Sequence, residues 1–124
     1  MSFTLLQVAA GGAMGAVARY LTGAAAMRAL GPGFPWGTVI VNVAGSFAMG
    51  VLVVALGHFG ANRAAPLLMT GLLGGFTTFS AFSLDAVTLY ERGAAGAAAA
   101  YVAGSVALSL AALAAGLLCA RSLT

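Results

Sequence analysis

The sequence predicts an all-α membrane protein with four transmembrane helices, and three observations support this fold class. The chain has 124 residues, of which 62% are hydrophobic and only 6% are charged. A water-soluble domain of this size needs far more charge to cover its surface. Four apolar segments are each long enough for the ~20 residues of a bilayer crossing. The third segment holds glycines and hydroxyls that predict a helix broken near mid-membrane.

The four segments account for nearly the whole chain, so we expect a single transmembrane domain over residues 1–124. The first segment is too long for a cleavable signal and carries Arg19, so it is interpreted as a span. Trp36 precedes the second segment and Tyr90 ends the third, where interfacial aromatic residues are expected. Pro66 opens the third at a position typical of a helix start. The predicted spans cover about 3–27, 37–57, 66–90 and 94–119.

The few charged residues are almost evenly divided between the two sides of such a bundle. Four spans put Arg63 and Arg121 on one side, and Arg28 and Arg92 on the other, with Arg19 near the latter pair. Orientation in a membrane is set by an excess of lysine and arginine on one side. Because almost no excess exists, we expect insertion in both orientations and pairing of two copies as an antiparallel, dual-topology homodimer.

The run Gly74-Gly75-Phe76-Thr77 is predicted to interrupt the third helix. An interrupted helix frees carbonyl oxygens, which are hard neutral ligands suited to an alkali cation. One chain offers about two such oxygens, and an antiparallel dimer about four. The break therefore predicts a Na⁺ site shared by two copies of the chain.

Polar side chains recur every four residues in two other spans, so that each set shares a helical face. Serine and threonine at such depth ordinarily bond their own helix or join two helices. Asn42 needs a protein or water partner, which favours a place in a pore. The two sets are Thr38, Asn42 and Ser46 in the second span, and Tyr101, Ser105 and Ser109 in the fourth.

Phe79, Phe82 and Asp85 share one face of the third span. Such phenylalanines are usually core or lipid-facing, but the positive edge of an aromatic ring can also face an anion. A path lined by ring edges, an amide and hydroxyls would suit a small anion that sheds its water. Arg19 is either a snorkelling anchor or a positive charge in a vestibule, and both interpretations stay open.

Enzyme chemistry has no candidate residues in this sequence. It has no cluster with metal-ligand spacing, no nucleophile beside a base and no phosphate-binding loop. Two non-enzymatic alternatives to an ion channel remain. A small multidrug-type, proton-coupled exporter needs a mid-membrane carboxylate, but Asp85 and Glu91 lie toward the end of the third span. A structural anchor subunit that holds haem needs histidines at depth, and His58 stands alone at a loop edge.

Three segments together resemble the Fluc (CrcB) family of small bacterial fluoride channels in order, spacing and overall length. The third is the most specific. They are GGAMGAVARY at 11–20, WGTVIVNVAGS at 36–46 and GLLGGFTTFSAFS at 71–83.

The resemblance implies a dual-topology homodimer with two antiparallel pores and a central structural Na⁺. It implies passive fluoride export across the bacterial inner membrane. By residue, Gly74 and Thr77 resemble the backbone Na⁺ ligands, and Phe79 and Phe82 the paired pore phenylalanines. The implied roles of the others are a pore amide for Asn42, a vestibule arginine for Arg19, and a polar track of Tyr101, Ser105 and Ser109. Asp85 departs from the family, which commonly has glutamate there.

Overall fold

The computed structural model describes residues 1–124, and the chain is all-helical with short connections. Each connection contains one glycine with a positive φ, namely Gly31, Gly60 and Gly93. A short 3₁₀ turn, Asn62–Ala64, and a π-helix, Pro66–Leu73, precede the third α-helix. The α-helices are α1 (Ser2–Leu30), α2 (Trp36–His58), α3 (Gly74–Phe76), α4 (Phe79–Glu91) and α5 (Ala95–Leu123).

Three helical segments are long and apolar enough to cross a membrane: Trp36–His58, Asn62–Glu91 and Ala95–Leu123. The 29-residue α1 is equally long, but it does not meet the same requirement for apolar composition. Gln7, Arg19 and Arg28 lower its hydropathy. By length and composition, the structure thus supports three of the four predicted crossings.

Glycines let α1 approach the π-helix closely. A Cβ added at Gly11 would lie 2.7 Å from the Leu72 nitrogen, and one at Gly71 would lie 2.9 Å from Gly11 Cα. Such contacts leave no room for a side chain at either position. The first helix and the first half of the third segment are therefore joined backbone to backbone.

A second close contact joins α2 to α5. A Cβ added at Gly50 would lie 2.9 Å from the Leu117 nitrogen, and one at Gly116 would lie 3.1 Å from the Val51 nitrogen. In contrast, α4 packs on α5 through side chains: the Phe82 and Tyr101 ring centroids are 5.2 Å apart. The chain thus forms one bundle in which α5 supports both α2 and α4.

The third segment is broken, but two residues later than its glycines predict. Gly74–Phe76 is helical, and the break consists of Thr77 (φ −86°, ψ 157°) and Thr78 (φ −152°, ψ 124°). Gly75 stays helical because it packs against α1, where an added Cβ would lie 2.7 Å from the Gly12 carbonyl oxygen. The two threonines are β-branched, and such residues adopt an extended backbone more readily than a helical one.

Candidate functional site at the helix break

The side chain of Asn42 binds the break from α2. Its Oδ1 accepts a hydrogen bond from the Thr78 N–H at 2.7 Å, and its Nδ2 donates to the Thr78 carbonyl at 2.9 Å. Because Thr78 is extended, its N–H and C=O point to the same side, as in a paired β-strand. One amide therefore supplies both hydrogen bonds that the interrupted helix has lost at this residue.

Thr77 and Thr78 also bind backbone groups with their own hydroxyls. Thr77 Oγ1 donates to the Leu73 carbonyl at 2.8 Å, while Thr78 Oγ1 accepts from the Ala81 N–H at 3.1 Å. The second bond is a helix N-cap, which explains why α4 starts again directly after the break. The paired hydroxyls thus end one helix and begin the next.

Arg19 reaches the other side of the break from α1. Its Nε donates to the Gly75 carbonyl at 3.1 Å, and its half-buried side chain lines a cavity of about 460 Å³ between α1, α2 and the break. Tyr20, Thr38 and Thr78 line the same cavity. Arg19 is therefore bound to the interrupted helix while its side chain lines this cavity.

The donor set at the break fits an alkali cation. The carbonyl oxygens of Leu73, Gly75 and Thr78 receive side-chain donors, whereas those of Gly74, Phe76 and Thr77 receive none. Gly74 is also exposed. Uncharged carbonyl oxygens are suitable ligands for Na⁺. One chain supplies only part of a coordination shell, so a complete site needs a second source of oxygens.

A groove of about 420 Å³ runs along the opposite side of the break, between α2, α4 and α5. Phe79 and Phe82 both line the groove, but Phe79 is 76% exposed and Phe82 only 8%. Their ring centroids are 5.4 Å apart. The polar lining comprises Asn42, Ser46, Thr77, Thr78, Ser105 and Ser109. The groove therefore joins an exposed aromatic ring to hydroxyls and an amide, and no carboxylate lines it.

The predicted polar track on α5 is divided in the structure. Ser105 and Ser109 line the groove, and the buried Ser105 Oγ has no hydrogen-bond partner. Tyr101 is only 1% exposed and does not line the groove; it packs between Phe82 and Phe34. The structure thus brings the two serines, but not the tyrosine, to the exposed ring of Phe79.

Asp85 accounts for the position of Tyr101. One carboxylate oxygen of Asp85, Oδ2, accepts from Thr38 Oγ1 at 2.7 Å and from the Tyr101 hydroxyl at 3.2 Å. No arginine lies within ion-pair distance of it, so Asp85 is held by hydroxyls from two other helices. This arrangement ties α4 to both α2 and α5 outside the groove.

The sequence did not predict that Arg19 would bind the Gly75 carbonyl, or that Asn42 would bind both the N–H and the carbonyl of Thr78. The signal was present in the sequence. An asparagine in an apolar segment must find a partner, and a threonine pair after two glycines is the nearest place where a helix would free its backbone. Only the folded structure shows that Asn42 of the second segment lies beside Thr78 of the third.

Comparison with known proteins identifies relatives along almost the whole chain. Residues 6–117 match the family described as CrcB-like protein, Camphor Resistance (CrcB). A protein of Cereibacter sphaeroides is 71% identical over 98% of this chain and 97% of its own length. One from Paracoccus denitrificans is 58% identical over 99% and 98%, and one from Agrobacterium fabrum is 54% identical over 94% of each. All three are named fluoride-specific ion channel FluC, a name for a channel rather than an enzyme.

The family match covers far more than half of the chain, and the relatives match it at high identity from end to end. The family match also agrees with the apolar helices, since ion channels are built from membrane-spanning segments. The chain is a multi-pass membrane protein, and it belongs to the CrcB family.

Proposed function

We propose that this chain is a fluoride-selective ion channel that lowers cytoplasmic fluoride by passive export across the bacterial plasma membrane. Its relatives carry that name at up to 71% identity over nearly their full length. The observation that carries the proposal is the groove beside the break, which is lined by an exposed ring, an amide and hydroxyls and by no carboxylate. Each of these groups can present a donor or a positive edge to an anion.

Fluoride selectivity follows from the groups that line the groove. Fluoride binds water more strongly than chloride does, so a path that conducts it must replace that water with other donors. The Asn42 amide keeps one N–H beyond the one given to Thr78, and Ser105 offers a buried hydroxyl without a protein partner. We expect the edge of the Phe79 ring to complete this lining, so that these groups replace the water that fluoride sheds.

The groove lies on an outer face of one chain, and we propose that a second copy closes it. An open polar groove is unfavourable against lipid, where polar groups need partners. The balanced arginines support an antiparallel, dual-topology homodimer, with α1 as a fourth crossing. In that dimer two breaks would meet, and Na⁺ held by Gly74 and Thr77 carbonyls of both copies would fix their relative position.

The test is anion efflux from liposomes that contain the purified protein. Fluoride and chloride are loaded separately, and valinomycin with potassium balances the charge. We expect fast fluoride loss with chloride retained, and protein-free liposomes serve as the control. Retention of fluoride by liposomes that contain folded dimer would contradict the proposal, and proton-coupled export of an organic cation would then be measured.

A further inference from the structure

Hydrogen bonds at the break divide its carbonyl oxygens into two groups. The Leu73 carbonyl accepts from Thr77, the Gly75 carbonyl from Arg19, and the Thr78 carbonyl from Asn42. The carbonyls of Gly74, Phe76 and Thr77 receive no side-chain donor. Two of these, Gly74 and Thr77, are the carbonyls proposed to hold Na⁺.

We infer that Arg19 and Asn42 are positioning residues, which fix the break so that the Gly74 and Thr77 carbonyls stay available to the cation. This inference rests on the proposed function, because it concerns the same Na⁺ site. It differs from the roles that the sequence predicts for the two residues, a vestibule charge and a pore donor. Here each residue acts through the backbone it binds.

Asn42 fixes the second half of the break. Its two hydrogen bonds, at 2.7 and 2.9 Å, meet the N–H and the C=O of the same residue, Thr78. A single bond would leave the backbone at Thr78 free to rotate about the contact. Two bonds from one planar amide fix the direction of both its N–H and its carbonyl. The preceding carbonyl, that of Thr77, belongs to the peptide whose N–H is held by Asn42. Its orientation is therefore set directly by the Asn42 oxygen.

Arg19 fixes the first half. Its Nε is bound at 3.1 Å to the carbonyl of Gly75, a residue that itself packs tightly on α1. Hydrogen bonds with a charged donor are about twice as strong as neutral ones. By holding the Gly75 carbonyl toward α1, Arg19 keeps this oxygen from competing with the Gly74 carbonyl for the cation.

The experiment measures sodium binding to the full-length dimer directly. Purified protein is equilibrated with ²²Na⁺, then passed into sodium-free buffer, and the bound isotope is followed over time. The variants are Arg19→Met and Asn42→Leu, which keep side-chain size but remove the hydrogen bonds. The matched control is Gln7→Ala, which removes another bond from α1 to the backbone of the third segment, the 3.1 Å bond from Gln7 Nε2 to the Arg63 carbonyl.

We expect both variants to release ²²Na⁺ about tenfold faster than wild type, the equivalent of about 1.4 kcal/mol, while Gln7→Ala releases it at the wild-type rate. If Arg19→Met does not assemble, Arg19→Lys keeps a donor and a charge, and its release should be intermediate. If variants with reduced fluoride flux released ²²Na⁺ at the wild-type rate, the inference would be overturned, but the proposal that the protein is a fluoride channel would stand. A wild-type dimer that binds no sodium would overturn the Na⁺ proposal and this inference together, and fluoride efflux from the same preparation would still test the channel.

Discussion

The two halves of the third segment are held in different ways. Before the break, Pro66–Leu73 and α3 pack on α1 through backbone contacts, and a Cβ at Gly75 would lie 2.7 Å from the Gly12 carbonyl oxygen. After the break, α4 is held by side chains, through the ring of Phe82 and the carboxylate of Asp85. The first half therefore tolerates no change of side-chain size at the contact, whereas the second can be adjusted residue by residue.

This difference explains where the groove can vary. The first half serves as a rigid attachment that sets the position of the break. The second half places both Phe79 and Phe82 along the groove, but Phe79 is 76% exposed, whereas Phe82 is only 8% exposed and also packs in the core. Substitutions before the break should therefore affect folding, and substitutions after it should separate conduction from stability.

The largest effect is expected from Gly75→Leu, which places a side chain against the backbone of α1. Overpacking by one or two methylene groups already costs about 1–3 kcal/mol, and here the colliding atoms are backbone, which cannot rotate away. We expect no folded dimer by size-exclusion chromatography. Gly96→Leu is the matched control, because a Cβ at Gly96 meets nothing within 4 Å. A stable Gly75→Leu dimer would show that the first half is not rigid.

The next largest effect compares Phe79→Ile with Phe82→Ile. Phe79→Ile should lower fluoride flux about tenfold, which corresponds to about 1.4 kcal/mol in the barrier, with the unfolding temperature unchanged. Phe82→Ile should instead lower the free energy of unfolding by about 1–2 kcal/mol, since it disturbs packing against Tyr101. Liposome efflux and thermal unfolding measure the two effects. Equal loss of stability in both variants would mean that the groove and the core are not separate.

Much of the fold could be predicted because it depends on composition and local pattern. Apolar segments between glycine-rich and charged connections predicted four helices, and the hydroxyl run predicted an interruption in the third. The predicted interruption, residues 74–77, shares only Thr77 with the observed break at Thr77 and Thr78, since the sequence does not show that Gly75 is required for packing against α1. The π-helix at Pro66–Leu73 was not predicted.

The sequence predicted which residues form the candidate site better than it predicted the contacts between them. The four-residue spacing put Ser105 and Ser109 on one face, and both line the groove. The same spacing gave no sign that Tyr101 would turn to Asp85 and Thr38. Partners that lie 16 and 47 residues apart from Asp85 are chosen by helix packing, which no local pattern encodes.

A smaller effect is expected from loss of the hydroxyls that bind Asp85. Thr38→Val removes the shorter bond, 2.7 Å, and should lower the free energy of unfolding by about 1 kcal/mol. Tyr101→Phe removes the 3.2 Å bond and should cost less. A double-mutant cycle by chemical unfolding gives their coupling, which we expect to be measurable because both donors share Asp85 Oδ2. Purely additive effects would contradict a shared acceptor.

The smallest effect on stability is expected from Ser105→Ala. Because the Ser105 Oγ has no hydrogen-bond partner, the substitution breaks no protein bond, and the free energy of unfolding should change by less than about 1 kcal/mol. Fluoride flux should nevertheless fall about threefold, since a buried hydroxyl without a protein partner is free to donate to an ion in the groove. Ser83→Ala is the matched control, because the Ser83 hydroxyl donates to the Phe79 carbonyl in its own helix at 3.0 Å. If Ser105→Ala conducted as wild type does, the Ser105 hydroxyl would have no part in conduction, and the Asn42 amide and the Phe79 ring would remain as the proposed lining.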